Sequence, residues 1–198
     1  MSQLRRIGLF GGAFDPPHQA HVALARAGLV QLQLDELRII PTGQAWHKSR
    51  ALSPAADRLA MVKLAFADLA GVLIDERELH RSGASYTIDT VLALRAEQGP
   101  AEFFLLMGAD QWAAFTGWHR WQELASLVRL CVARRPDLAD APQAGPLEVM
   151  WLDLPPMPVS ATGIRGQVAA APAGGSWADL VPPAVARYIS DHRLYTRP

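Results

Sequence analysis

One cysteine in 198 residues means that no internal disulfide can staple this chain. Cys131 sits in the apolar run Val128 to Ala133 and reads as a buried structural thiol rather than a nucleophile. Lysine is almost as scarce: Lys48 and Lys63 are the two lysines among 19 basic residues, which 19 acidic residues balance to a formal net charge of +0. That balance argues against a broad nucleic-acid footprint, so any polyanion must be met by a few local positive groups. No apolar run reaches the ~20 residues of a membrane span. The arginines near the N-terminus are not followed by a signal-like stretch, because Gly-Gly, Asp and His interrupt it, and the chain is expected to be cytoplasmic. No internal repeat is present. With 50% hydrophobic residues the chain has enough apolar material for a substantial core.

The most informative stretch is Arg-Arg-Ile-Gly-Leu-Phe-Gly-Gly-Ala-Phe-Asp-Pro-Pro-His-Gln-Ala-His-Val-Ala-Leu, residues 5 to 24. Ile7, Leu9 and Phe10 form a short buried strand, and Gly11 and Gly12 allow a sharp turn that a ligand can approach closely. Asp15 is a good N-cap, and Pro16 and Pro17 suit a first helical turn, so the spacing predicts a helix from about Pro16 to Leu34. His18 and His21 then share one face beside unpaired N–H groups at the positive end of the helix dipole, an arrangement suited to phosphate. Zinc is the competing reading of the two histidines, but no Glu lies between them and no third ligand is near in sequence.

Further along, Leu37 to Ile40 reads as a second strand, followed by the basic loop Thr42 to Arg50 that carries His47 and Lys48. Ligands of open α/β sheets bind outside the carboxyl ends of strands, which places Lys48 within reach of phosphates. Ser53-Pro54 is expected to open a helix with Leu59, Val62, Leu64 and Phe66 toward the core and Gly71 at its end. Val72 to Ile74 is a short strand, and the charges of Asp75 to Gly83 read as a solvated connection. Ser85 or Thr87 can cap a helix running to Glu97. Glu102 to Met107 is the fourth strand, with Gly108 and Asp110 at its carboxyl end suited to a ribose. Trp112, Phe115, Trp118 and Trp121 follow in a helical, mostly core segment. Val128 to Ala133 and Leu147 to Leu152 give two more strands. In Val159 to Arg165, Ser160 or Thr162 can cap a helix whose first turn holds Arg165, where guanidinium and backbone N–H groups can converge on one anion. Pro182-Pro183 opens a last helix to about His192.

Gly-Gly-Ala-Phe-Asp-Pro-Pro-His-Gln-Ala-His resembles the Gly-Gly-x-Phe-Asp-Pro-x-His-x-Gly-His signature of the nucleotidyltransferase superfamily, and of its bacterial nicotinate-nucleotide adenylyltransferases in particular. Ala13 and Ala20 depart from the usual Ser or Thr and Gly. Ser-Ala-Thr-Gly-Ile-Arg, residues 160 to 165, is similar to the second superfamily signature, and Ser-Tyr-Thr-Ile-Asp-Thr, residues 85 to 90, to the block whose backbone receives the pyridine carboxylate. The likeness spans essentially the whole chain. It implies an α/β, Rossmann-like doubly wound parallel sheet of five to six strands with helices on both faces. The core would span residues 1–154, and a small C-terminal helical segment, 155–198, would carry the second motif within one nucleotidyltransferase domain.

The same likeness implies transfer of the adenylyl group of ATP to nicotinate mononucleotide, with Mg²⁺ carried by the ATP and without a nucleic-acid or membrane partner. It assigns catalysis to His18, His21, Lys48 and Arg165, and ATP binding to those two histidines and Arg165 with Gly11, Gly12, Ala13, Phe14, Gly108, Asp110, Ser160 and Thr162. The mononucleotide falls to Asp15, Lys48, Ser85, Tyr86, Thr87 and Trp118, the last stacking on the pyridine. A carboxylate dyad or an activated Ser or Cys is absent, and the implied reaction requires none. The rival readings are another adenylyl- or cytidylyltransferase such as the phosphopantetheine enzyme, a class I aminoacyl-tRNA synthetase, which would need a lysine-rich second signature, and a catalytically idle nucleotide sensor.

Overall fold

The computed structural model describes residues 4–43, 52–134, 147–171 and 175–196. Six parallel strands form one sheet: β1 (Arg5–Gly12), β2 (Glu36–Pro41), β3 (Val72–Ile74), β4 (Ala101–Met107), β5 (Arg129–Arg134) and β6 (Val149–Asp153). Their order is β3-β2-β1-β4-β5-β6, so the chain winds outward one way from β1, returns, and winds the other way from β4. The order reverses between β1 and β4, which is where such sheets open a crevice at the carboxyl ends of their strands.

Alternation along the strands supplies two cores. In β4, Phe103, Leu105 and Met107 point to one face, and Phe104 and Leu106 to the other. Against the second face pack α1 (Gln19–Gln31), α2 (Ala55–Phe66), α6 (Ala161–Ala170) and α7 (Pro183–Asp191), through Leu24, Met61, Val62, Ile164, Val185 and Ile189. The first face is covered by α3 (Thr87–Gln98), α4 (Ala109–Ala113) and α5 (Trp121–Leu127), through Ile88, Val91, Leu94, Trp112 and Leu124. Strands buried on both faces explain the continuous apolar runs in the sequence. Cys131 lies in the interior with its thiol pushed up to about 12 by burial, which fits a structural role. No helix among the described residues is long and apolar enough to cross a membrane.

Several boundaries differ from the sequence reading, each for a local reason. The first helix begins at Gln19 with His18 as its N-cap, not at Pro16 behind Asp15. Asp15 and Pro16 both precede a proline, which steers them away from helical geometry. α2 ends at Phe66, well before Gly71, with Leu64 exposed and Arg58 buried in its place. Ser85 and Thr87 do not cap α3: Tyr86 is its N-cap, with no side-chain capping bond, and the Ser85 hydroxyl turns to the Glu78 carbonyl at 3.5 Å. The connection after β3 is not a solvated run, since Asp75 and Glu78 are buried, Asp75 against Arg38 and Arg77, and Glu78 against the Thr90 hydroxyl at 2.8 Å. Arg165 is the fifth residue of α6 and so starts its second turn, while Ser160 caps the helix by accepting from Gly163 N–H at 3.1 Å.

Gly43, just beyond β2, is in close approach to a second segment: a Cβ there would lie 2.1 Å from the backbone oxygen of Glu78. Backbone cannot swing aside as a side-chain tip can, so Gly43→Ala should cost about 2 kcal/mol. Calorimetry should find the Tm lowered by about 4–8 °C, whereas an unchanged Tm would show that the segment bearing Glu78 can yield.

Candidate active site

Two cavities open side by side at the reversal point. The larger, about 610 Å³, runs from the turn after β1 across α1 to the start of α6, and His18, His21, Asp110, Arg134, Ser160 and Arg165 line it. The smaller, about 430 Å³, lies toward α3 and is lined by Glu78, Ser85, Tyr86, Thr87, Trp118 and His119. Gly11, Gly12, Ala13, Met107, Asp110 and Gln111 line both, so the two share a wall made of the β1 turn and the end of β4.

On the larger side the two imidazoles stack, with ring centres 3.7 Å apart and planes 20° from parallel. The backbone N–H of His18 donates to Nδ1 of His21 at 3.1 Å, which leaves Nε2 of His21 to carry the proton. Phe14 packs edge-on against the same ring at 5.0 Å. His18 is 7% exposed, and its Nδ1 has no hydrogen-bond partner among the described residues. Burial lowers its pKa from 6.5 to about 4, so it is neutral near pH 7. Arg165 reaches across from α6, Nη1 donating to the backbone oxygen of Asp15 at 2.7 Å and Nη2 to Oγ1 of Thr162 at 3.1 Å. Residues from both ends of the sequence thus edge one cavity, whose positive and N–H-donating wall suits an anion.

The smaller cavity begins at the N-terminus of α3, which no side chain caps. Tyr86 and His119 face each other with ring centres 4.3 Å apart, and Trp118 leans on the buried Phe115 at 5.5 Å. Aromatic side chains thus wall this cavity, and the first backbone N–H groups of α3 lie at its edge, where they can meet an acceptor.

A cytidylyltransferase-like family model matches residues 9–167. A probable nicotinate-nucleotide adenylyltransferase of Albidiferax ferrireducens is 52% identical over 198 residues, covering 97% of this chain and 98% of that one. Its counterpart from Methylibium petroleiphilum is 45% identical, covering 100% and 95%. The chain belongs to the nicotinate-nucleotide adenylyltransferase family. Among solved structures, nicotinic acid mononucleotide adenylyltransferase of Plasmodium falciparum complexed with NaAD superposes with a TM-score of 0.77 over 98% of each chain, at 16% identity. A second structure, the crystal structure of a Vibrio parahaemolyticus protein, gives a TM-score of 0.70 over 98% of each chain at 17% identity. At such identities the likeness extends to the fold.

Within this family fold, the residues singled out in the sequence fall on the two cavities unevenly. Gly11, Gly12, Ala13 and Asp110 line both, Phe14, Gly108 and Ser160 join His18, His21 and Arg165 on the larger, and Ser85, Tyr86, Thr87 and Trp118 line the smaller. Thr162 lines neither and instead accepts from Arg165. Asp15, read from the sequence as a mononucleotide contact, lies on the larger cavity, where its carboxylate accepts from the Tyr195 hydroxyl at 2.7 Å and the Ser53 N–H at 3.2 Å. Lys48 lies outside the described residues. Sequence reasoning missed Glu78, Thr90, Gln111, His119 and Arg134, all of which line a cavity. Glu78 was hidden in a charged run, and Arg134 is marked only by its position at the carboxyl end of β5.

The buried His18 makes stability depend on pH. Between about pH 6.5 and 4 the unfolded imidazole binds a proton that the folded one does not. Stability is therefore fully present above that window, declines as pH falls through it, and loses about 3 kcal/mol in all. Denaturation curves of the wild type and His18→Gln should converge toward pH 4 by that amount relative to pH 7.5, and parallel pH profiles would contradict a buried neutral imidazole.

Proposed function

We propose that the larger cavity takes ATP, the smaller takes nicotinate mononucleotide, and the two meet over Gly11–Ala13. The chain transfers the adenylyl group of ATP to nicotinate mononucleotide, giving deamido-NAD and pyrophosphate in NAD biosynthesis. A 5′-phosphate oxygen of the mononucleotide attacks the α-phosphorus of ATP, the new P–O bond forms as the bond to the bridging oxygen breaks, and pyrophosphate leaves with that electron pair. A phosphate monoester has its second pKa near ~6, so the nucleophile is already ionised at neutral pH and no protein base is required. What the protein must supply is placement of two anions and donors for the charge that builds on the α-phosphate and the leaving group.

In this reading Nε2–H of His21 donates to the α-phosphate, and His18 faces the neighbouring phosphate oxygens. Both are neutral donors that spend little on desolvation before substrate arrives. Arg165 and the N-terminus of α6 behind Ser160 hold the triphosphate from the opposite wall, and Asp110, at the end of β4, accepts from a ribose hydroxyl. On the other side, backbone N–H groups at Tyr86–Thr87 receive the pyridine carboxylate and Trp118 stacks on the ring. The carboxylates of the larger cavity among its described lining are Asp15, engaged by Tyr195 and Ser53, and Asp110, and no cluster of three metal-binding side chains occurs among the described residues. That donor set suits Mg²⁺ held by phosphate oxygens and water, where it would neutralise charge on the β and γ oxygens.

The observation that supports this reading is the shared wall, because Gly11, Gly12, Ala13 and Asp110 line both the aromatic cavity and the cavity edged by His18, His21 and Arg165. Mixing ATP, Mg²⁺ and nicotinate mononucleotide with the protein should release pyrophosphate and form the dinucleotide in equal amounts. Turnover with phosphopantetheine in place of the mononucleotide would overturn the assignment. His21→Ala should lower kcat by roughly 10²–10³, the loss typical of one preorganised donor. Trp118→Ala should instead raise KM for the mononucleotide by about tenfold, one aromatic stack's worth, and leave KM for ATP near its starting value.

A further inference from the structure

Arg58 is an anomaly that nothing above uses. A guanidinium 2% exposed, on a helix otherwise buried through Met61, Val62 and Phe66, must find partners for its N–H groups or be strongly destabilising. It finds three backbone carbonyls, each from a different segment. Nη1 donates to Ala13 at 3.0 Å and to Thr42 at 2.7 Å, and Nε donates to Ser53 at 3.0 Å. Ala13 belongs to the wall shared by both cavities, and Thr42 lines the smaller one. Arg58 itself lines neither.

The circuit closes through Asp15. Ser53 donates its N–H to one carboxylate oxygen, Tyr195 donates its hydroxyl to the other, and Asp15 attracts the guanidinium electrostatically. The Asp15 carbonyl, in turn, is where Arg165 is anchored. Tyr195 reaches this point with φ of +63°, left-handed backbone that a bulky residue seldom adopts, held where its hydroxyl meets an acid 180 positions earlier. Burial and the adjoining carboxylate push its pKa up, so it stays a donor.

We propose that Arg58, with Tyr195 acting across Asp15, is a positioning unit for adenylyl transfer: it fixes the β1 turn relative to the end of β2 and to Arg165, and so sets the gap between the two reacting phosphates without touching either substrate. The inference deepens the reading of the two cavities given above and rests on it. Because each cavity has its own contacts, loosening the unit separates binding from chemistry. A misplacement near 1 Å is enough to lower the rate of an oriented displacement by about 10².

The test uses Arg58→Lys, which keeps the charge but cannot span three carbonyls, and Tyr195→Phe, which removes only the hydroxyl. Each is assayed well below its own Tm, with the folded fraction measured. Dissociation constants for ATP and for nicotinate mononucleotide, each measured alone by calorimetry, should stay within about threefold of wild type. Single-turnover rates should fall about 30- to 100-fold in Arg58→Lys and about 3- to 10-fold in Tyr195→Phe. Added methylguanidine should restore part of the rate to Arg58→Ala. A purely structural role predicts lower Tm with an unchanged rate per folded molecule, and that result overturns the proposal, as does a rate loss accounted for by weakened binding. Should Arg58→Lys fail to fold, an unchanged rate in Tyr195→Phe overturns it. Wild-type protein inactive in the same assay would indict the two-substrate reading instead.

Discussion

Two phosphate-bearing molecules repel one another, and a protein that joins them must offset that repulsion within a few ångströms of the forming bond. A chain with no net charge cannot do so with a diffuse positive field. In the proposed reading the offset is local, at the place in the sheet where the connections from β1 and β4 lead away in opposite directions. The turn after β1 and the end of β4 form the partition between two cavities, and α1, α6 and α3 direct their N-terminal regions toward it from different sides. On that reading imidazoles, the Arg165 guanidinium and backbone N–H groups take the part that a cluster of lysines would take elsewhere, with less charge to bury when the site is empty.

Such a partition is only as useful as it is rigid, and the contacts that hold it extend beyond the cavity walls. The β1 turn contains Phe14 with φ of +46°, an unusual conformation for an aromatic residue, held by edge-to-face packing on Phe10 and Phe66 at 5.5 and 5.9 Å. Beneath it, Arg58, Asp15, Ser53, Tyr195 and Arg165 join segments from across the sequence. The C-terminal helices therefore belong to the same core as the sheet, through Ile164, Val168, Val185 and Ile189, and also reach the site's framework through Arg165 and Tyr195.

The strands were legible because burial on both faces leaves apolar runs bounded by glycine, proline or charge, and the doubly wound sheet was legible through the family resemblance. The pairing of His18 and His21 with Arg165 was legible through motif likeness alone, since spacing cannot bring residues 150 positions apart together. Boundaries set by proline were misread where a favourable cap at Asp15 competed with the constraint on residues preceding Pro16 and Pro17. Glu78 and Arg58 were invisible because a charged residue in a helix or a charged run reads as solvated until its partners are known. Those partners are backbone carbonyls and a threonine hydroxyl, groups that leave no distinctive mark in a sequence.

In the proposed reaction the phosphate of one cavity attacks the phosphorus held in the other directly across the shared wall. The configuration at the α-phosphorus reports this most directly. ATP carrying a single sulfur diastereomer at that position should give a dinucleotide of inverted configuration, as one in-line displacement requires. Retention would mean two displacements through an adenylylated side chain, and would contradict the account.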